Sequence, residues 1–346
     1  MKDFIIVGAG LAGINFAEVC RLNGKSFIVI SDTSHNSTRV AAGIYNPVIL
    51  KRFSLPADAA KHMAHIIPFY QNIQDRLGVQ FMHNVPMYRK FASIEEQNNW
   101  FEAADKPALT PFLDTEIKHK KYPALPSPYG FGSVYNTGYM DTNVFLDTYC
   151  ASLLNDGLLL KDTFDYSILH IAEDCVQYKD ISAKHIVFAE GFGIHANPYF
   201  NYLPLDGTKG ELLLIKAPDL QLDVIVNASM FILPFGNGYY KVGATYEWGD
   251  KTQEPTEVGK QELVKKLEEL ITCDYEIIEH LAGVRPTVKD RKPLIGTHPK
   301  YSRLHLLNGL GTRGVMLGPP MALELFESIE KGTEIPRAIN LTRFKV

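Results

Sequence analysis

Phe4-Ile5-Ile6-Val7-Gly8-Ala9-Gly10-Leu11-Ala12-Gly13 is the stretch that decides the fold. Phe4 to Val7 reads as a buried strand, and Ala12 to Leu22 as a helix stopped at Asn23-Gly24. Phe27 to Ile30 is a second apolar, β-branched run ending at Ser31-Asp32. Strand, helix and strand in this length have the size of a right-handed βαβ unit. The turn between them fits G-x-G-x-x-G. Gly8 permits the tight turn, Gly10 lets a pyrophosphate approach the backbone, and Gly13 lets the helix pack on the strand. The helix start offers N–H donors and a positive dipole end to phosphate. Asp32 stands 19 residues after Gly13, where a carboxylate meets ribose hydroxyls. These features predict a bound dinucleotide. They do not separate NAD from FAD, and the carboxylate argues against the 2′-phosphate of NADP.

Outward from this unit, apolar spacing predicts helices over 62–77, after the cap region 141–143, around 263–271, and from about Pro319 to Lys331. His185 to Ala189 and Leu304 to Asn308 read as buried strands. Between Gly210 and Thr245 short β-rich runs alternate with Pro and Gly turns. The pattern is α/β (α+β). A Rossmann-type nucleotide domain, discontinuous over 1–80, 140–200 and 282–346, is interrupted by a second domain at 81–139 and 201–281. That second domain is built on an antiparallel or mixed β-sheet.

The chain has 346 residues, enough for two domains, and its 35 basic against 39 acidic residues give a net charge of −4. That balance argues against a protein built mainly to grip nucleic acid or an anionic membrane. Cys20, Cys150, Cys175 and Cys273 lie far apart without a CxxC spacing, and read as reduced structural thiols. The apolar run after Met1 is too short for a signal peptide or a membrane span, so a cytoplasmic location is expected. No G-x-S-x-G elbow is present. His62 and His65 stand three apart on a helix without a third ligand nearby, so no metal site is expected. Lys118-His119-Lys120-Lys121 is either a solvated face or a phosphate contact. Lys51-Arg52 read equally as surface residues or as the rim of a site.

Three later segments carry a resemblance. Ser37-Thr38-Arg39-Val40-Ala41-Ala42-Gly43-Ile44 follows the acidic residue. Gly283-Val284-Arg285-Pro286 runs on to Asp290, Pro293, Ile295 and Gly296. Gly309-Leu310-Gly311-Thr312-Arg313-Gly314-Val315 precedes Pro319. In this order they resemble the D-amino-acid oxidase superfamily of FAD-dependent amine oxidoreductases. The branches most similar are glycine oxidase and the oxidase half of the bifunctional enzyme that modifies the tRNA wobble uridine. The resemblance implies FAD as cofactor. No cysteine stands where a covalent flavin link is expected, so the FAD is expected to be dissociable.

The resemblance also implies roles. Thr38, Arg39, Ala41, Ala42, Gly43 and Ile44 would run along the flavin diphosphate and ring. Gly311, Thr312, Arg313, Gly314 and Val315 would meet the ring, with N–H groups facing its electron-rich end. Ile168 would meet adenine through its backbone, and Ala189 and Gly191 would lie beside the cofactor. Arg285, biased to extended geometry by Pro286, would clamp a substrate carboxylate. An ion pair with Asp290 is the structural alternative for Arg285. Tyr246 would face the substrate, or pack in the core with its hydroxyl satisfied. Phe231 stands where glycine oxidase carries a substrate-binding tyrosine, and Arg313 comes one place later than the corresponding arginine there.

The implied activity is oxidation of the C–N bond of a small carboxylated amine, an amino acid or N-substituted glycine, with oxygen or a quinone as acceptor. Oxidation of a carboxymethylaminomethyl group on tRNA is an alternative within the fold. A non-catalytic FAD-binding protein is the alternative from another class.

Overall fold

The computed structural model describes residues 1–344 apart from Thr33 and Ala57. Two large sheets and one small one organise these residues. The first sheet has a parallel core in the spatial order Leu159–Lys161, Phe27–Ser31, Lys2–Val7, Ile181–Phe188, Leu304–Asn308. Leu294–Thr297 adds antiparallel to the last of these, and the hairpin of Leu169–Ile171 and Val176–Tyr178 adds to Ile181–Phe188. Strand order reverses at Lys2–Val7, and a reversal of this kind opens a crevice at the carboxyl ends of the strands. Register places Val7 beside both Ile30 and Phe188, so Gly8, Ser31 and Ala189 emerge along one edge.

Phe4-Ile5-Ile6-Val7 is apolar throughout because both faces of the strand are covered. Phe4 and Ile6 enter the core beneath Leu11–Leu22, Ala59–Leu77, Thr142–Asn155 and Gly314–Lys331, whereas Ile5 and Val7 enter the core on the other face. Each fully buried side chain of this size contributes roughly 1.5–3 kcal/mol.

The last helix starts earlier than its prolines suggest. It runs from Gly314 to Lys331 with Pro319 and Pro320 inside. Pro319 has no N–H for the Val315 carbonyl. The Tyr70 hydroxyl donates to that carbonyl at 3.0 Å and in turn accepts from Asn15 Nδ2 at 3.2 Å. Two neighbouring helices thus supply the donor that the proline removes.

The second large sheet is mixed. Its order is Glu276–Arg285, Thr208–Lys216, Tyr239–Gly243, Phe231–Pro234, Ile225–Asn227, Met87–Lys90, Phe131–Val134, Leu113–Lys118. All neighbours are antiparallel except Ile225–Asn227 with Met87–Lys90. Leu263 and Leu267 of the helix Glu257–Glu268 close one face over Leu213, Ile215 and Val242. The strand Glu276–Arg285 stays in this sheet to its last residue, with Arg285 in register with Thr208. Pro286 then ends the strand, and the chain crosses to Leu294–Thr297 in the first sheet. No described helix is long and apolar enough to cross a membrane.

Candidate functional site

A cavity of about 1440 Å³ extends from the crevice edge of the first sheet to the nearer strands of the second. At its first end the glycine turn is held by steric necessity. Gly8 has φ +103°, and a Cβ there would meet the Ala189 carbonyl oxygen at 2.6 Å. A Cβ on Gly13 would lie 1.8 Å from the Gly8 carbonyl oxygen, so this glycine sets how closely helix and strand approach. Gly8 and Gly10 line the cavity; Gly13 packs behind it. The helix Leu11–Leu22 begins with no side-chain cap from Gly10 and no acid in its first turn. Such a start leaves N–H groups and positive dipole for an anion. The Thr38 hydroxyl sits there, accepting from the Leu11 N–H at 3.4 Å.

Asp32 stands at the same edge. Partial burial raises its carboxyl, but donors from Ser34 and from Thr163 Oγ1, the latter at 2.8 Å, outweigh this and hold it below the usual carboxylate range. It is therefore an ionised acceptor. Glu190, between Ala189 and Gly191, is different: burial pushes its carboxyl up to about 7, against hydrogen bonds from Tyr166 and from Asn197 Nδ2. Ala189, Glu190, Gly191 and Tyr166 line the cavity. Ile168 lies in the one-turn helix Tyr166–Ile168, capped by Asp165, and packs with the core below the sheet rather than on the cavity wall. Sequence reasoning missed Tyr166 and Glu190, because nothing local marks a tyrosine and a glutamate 24 residues apart as partners.

The middle of the wall comes from one segment. Ser37–Val40 forms a short helical turn, and Ile44–Tyr45 pairs with Gly138–Met140. Thr38, Arg39, Ala41, Ala42, Gly43 and Ile44 all line the cavity. The Arg39 guanidinium turns aside to Asp147 at 2.7 Å. Cys150, on the same helix as Asp147, is the one cysteine among the lining residues; all four are free thiols. Gly311, Thr312, Arg313, Gly314 and Val315 form the facing wall at the start of the last helix.

At the other end Arg285 crosses the backbone of the neighbouring strand. A Cβ on Gly210 would lie 1.8 Å from one of its guanidinium nitrogens. Nη1 donates to the carbonyls of Thr245 at 3.2 Å and Lys209 at 3.4 Å. Burial lowers its pKa. Asp290 is not its partner: that carboxylate takes Arg343 Nε at 2.8 Å. Among the described residues no carboxylate pairs with Arg285.

The Tyr246 ring lies 4.6 Å from the Arg285 guanidinium carbon and is 61% exposed, so it stacks on the charge at the cavity mouth instead of packing in the core. Its place is fixed by backbone pairing. Thr245 donates to Glu211, and Glu247 and Lys209 exchange two bonds of 2.9 and 3.0 Å. The fully buried Lys209 ammonium reaches Asp250 and Thr252, tying down the segment that follows. Phe231 lines the cavity, its ring 3.2 Å from where a Gly243 Cβ would stand.

Other candidates fall elsewhere. Among the described residues no group of three or more His, Cys, Asp or Glu is placed to hold a metal ion. In the basic run, Lys118 pairs with Asp114 at 2.8 Å and Glu116 at 3.2 Å, and Lys120 pairs with Asp223. Much of that patch is neutralised by its own neighbours.

Residues 3–328 match a family model described as "FAD dependent oxidoreductase". The chain is 26% identical over 342 residues to glycine oxidase of Bacillus subtilis, covering 92% of this chain and 90% of that one. It is 23% identical over 356 residues to the tRNA 5-methylaminomethyl-2-thiouridine biosynthesis bifunctional protein MnmC of Marinobacter nauticus, covering 94% of this chain but 55% of that protein. The crystal structure of glycine oxidase from Geobacillus kaustophilus superposes with a TM-score of 0.83 at 19% identity, over 100% of this chain and 99% of that one.

Proposed function

We propose that this chain, which belongs to the DAO family of FAD-dependent oxidoreductases, oxidises the C–N bond of a small amine bearing a carboxylate. The observation that carries the reading is Arg285: a partly buried guanidinium on the cavity wall, with no carboxylate partner among the described residues. The cavity fits the cofactor. It offers an uncapped helix start beside a glycine turn for the diphosphate and an ionised Asp32 for the ribose hydroxyls. Beyond these, the wall formed by Ala41–Ile44 and Gly311–Val315 would take the flavin ring. The chemistry that bound FAD would supply is acceptance of a hydride.

This chain's residues do the positioning. Arg285 takes the substrate carboxylate through two parallel N–H···O bonds, which fixes the α-carbon in one orientation. Tyr246 keeps the guanidinium from swinging into solvent, and the Thr245 and Lys209 carbonyls hold its far edge. The substrate enters as the neutral amine, whose nitrogen lone pair becomes the second C–N bond as hydride departs, and the iminium so formed gives the imine by releasing its N–H proton to water. The imine then hydrolyses in water. Phe231 supplies an apolar wall where a hydroxyl would give a second carboxylate contact, so Arg285 carries more of that task here.

The match to the bifunctional tRNA-modifying protein supports a larger, RNA-borne amine less well. The Gly311-Thr312-Arg313-Gly314 turn favours it, but the paired lysines of 118–121 do not. Anaerobic bleaching of the bound flavin by a panel of glycine derivatives and D-amino acids tests the reading. Bleaching by at least one member is expected. Bleaching by none, together with demodification of hypomodified tRNA, would transfer the reading to the RNA-borne amine.

A further inference from the structure

One segment of the chain is bonded to both ends of the cavity. It runs from Thr245 to Thr256, and Lys209 pins its middle. The Lys209 ammonium is fully buried. It carries three donors, and the segment supplies an acceptor for each: the Asp250 carboxylate, the Thr252 hydroxyl at 3.1 Å and the Glu254 carbonyl. Lys251 adds a bond to the Gly207 carbonyl at 3.0 Å. Thr256 closes the segment on the Glu211 carboxylate, donating from its N–H at 3.0 Å and from its hydroxyl at 2.8 Å. Moving part of the segment would leave a buried ammonium short of partners, which is costly. The segment therefore stays seated or comes away as a unit.

The two ends of this unit reach different places. At one end the Thr245 carbonyl and the Tyr246 ring hold Arg285. Toward the other end stands Gln253, seven positions after Tyr246. Its amide grips the loop before Ser37–Val40 with two bonds. Nε2 donates to the Ser34 carbonyl at 2.7 Å, and Oε1 accepts from the Asn36 N–H at 2.9 Å. Ser34, His35 and Asn36 line the cavity with Asp32, and the Ser34 N–H donates to the Asp32 carboxylate at 3.0 Å. Gln253 itself is not among the lining residues, so it acts on the wall and not on a ligand.

We infer that Gln253 is a positioning residue for the substrate carboxylate, acting from the dinucleotide end of the cavity through the segment that Lys209 pins. The inference rests on the reading of Arg285 as the carboxylate anchor. A cofactor that orders Asp32 and Ser34–Asn36 presents Gln253 with both of its partners in place. The segment so seated holds Tyr246 and the Thr245 carbonyl against Arg285. A carboxylate on Arg285 steadies the same segment from its other end. Each ligand does part of the ordering that the other needs, and by linkage each tightens the other by the same factor.

The test uses the FAD-loaded protein and methoxyacetate, a carboxylate that lacks an oxidisable amine. Its binding is read from the perturbation of the flavin absorbance bands. The Kd for FAD is read from the fluorescence of released flavin, with and without saturating methoxyacetate. In the unaltered protein methoxyacetate should tighten FAD about tenfold. Gln253→Leu keeps the bulk of the side chain and removes both bonds. At saturating FAD it should raise the methoxyacetate Kd about threefold or more, and it should cut the tightening of FAD to about threefold or less. Gln253→Glu, which keeps the bond from the Asn36 N–H and loses the one to Ser34, should fall between. An unchanged methoxyacetate Kd in Gln253→Leu would overturn the inference and leave Gln253 as a support of the cofactor loop alone. So would a raised Kd with the tightening of FAD intact, since the two ends would then act separately. The underlying reading fails in a different way: it falls, and the inference with it, if the unaltered protein does not bind methoxyacetate or if Arg285→Met leaves that Kd unchanged. Methoxyacetate binding that depends on Arg285 but not on Gln253 would sink only the coupling.

Discussion

The two ends of the cavity are built by opposite means. At the crevice edge of the first sheet, backbone does the work: a glycine turn locked by contacts of 1.8 and 2.6 Å that any Cβ would make, and a helix start left uncapped. Its carboxylates are held by their own neighbours. At the second sheet, side-chain charge does the work: Arg285 lines the cavity with carbonyls as partners and, among the described residues, no carboxylate. The first end is complete before anything binds. The second holds Arg285 by carbonyls, and under the proposed function a substrate carboxylate would supply its counter-charge. A preformed end suits a cofactor kept through many turnovers, and an unbalanced one suits a substrate that must be chosen and released.

The largest break in that contrast comes from Gly13→Val. The new side chain cannot fit beside the Gly8 carbonyl, so purified protein should lose essentially all bound FAD and its yellow colour. A variant that retains stoichiometric flavin would show that the turn does not set the phosphate site.

Tyr70→Phe is expected to act next, on the wall between the two ends. It removes the donor to the Val315 carbonyl. Leaving a buried carbonyl unpaired costs about 1–3 kcal/mol, which lowers Tm by roughly 1–2 °C per kcal/mol in a chain of this length. An unchanged Tm in a thermal melt would mean that the proline-freed carbonyl finds another donor.

Glu190 sharpens the contrast through pH. Its carboxyl is raised to about 7, so it is largely neutral below that pH and becomes negative above it. A negative charge on the cavity wall would oppose binding of an anionic cofactor there. The Kd for FAD should therefore rise several-fold between about pH 6 and 8, and Glu190→Gln should flatten the profile at the tighter value. A profile that is flat in the unaltered protein, or steeper in the variant, would show that the Glu190 charge does not act on the cofactor.

How much of this was legible in the sequence follows the same division. Gly8, Gly10, Gly13 and Asp32 are local: strand, turn, helix and acid stand within one βαβ unit, and physics of short range places them. The segments 37–44 and 311–315 were found by resemblance, and the fold brings both to the cavity wall. What sequence reasoning missed depends on distant partners. The start of the last helix was set too late, since a proline reads as a boundary unless one knows that Tyr70 supplies the lost donor. An Arg285–Asp290 pair is locally plausible, and it is Arg343, more than 50 residues from Asp290, that holds that carboxylate. The Arg313 bond to the Asn46 carbonyl is likewise a property of the assembled wall.

The central claim is that Arg285 is the anchor that turns a carboxylated amine into a substrate. Stopped-flow anaerobic bleaching of the bound flavin measures it directly, with the best amine from the panel, in the unaltered protein and in Arg285→Met. The variant should keep its FAD while the second-order bleaching rate falls about 10²- to 10³-fold, corresponding to roughly 3–4 kcal/mol of lost binding in the transition state. A flavin-loaded variant that bleaches at the rate of the unaltered protein would contradict the account.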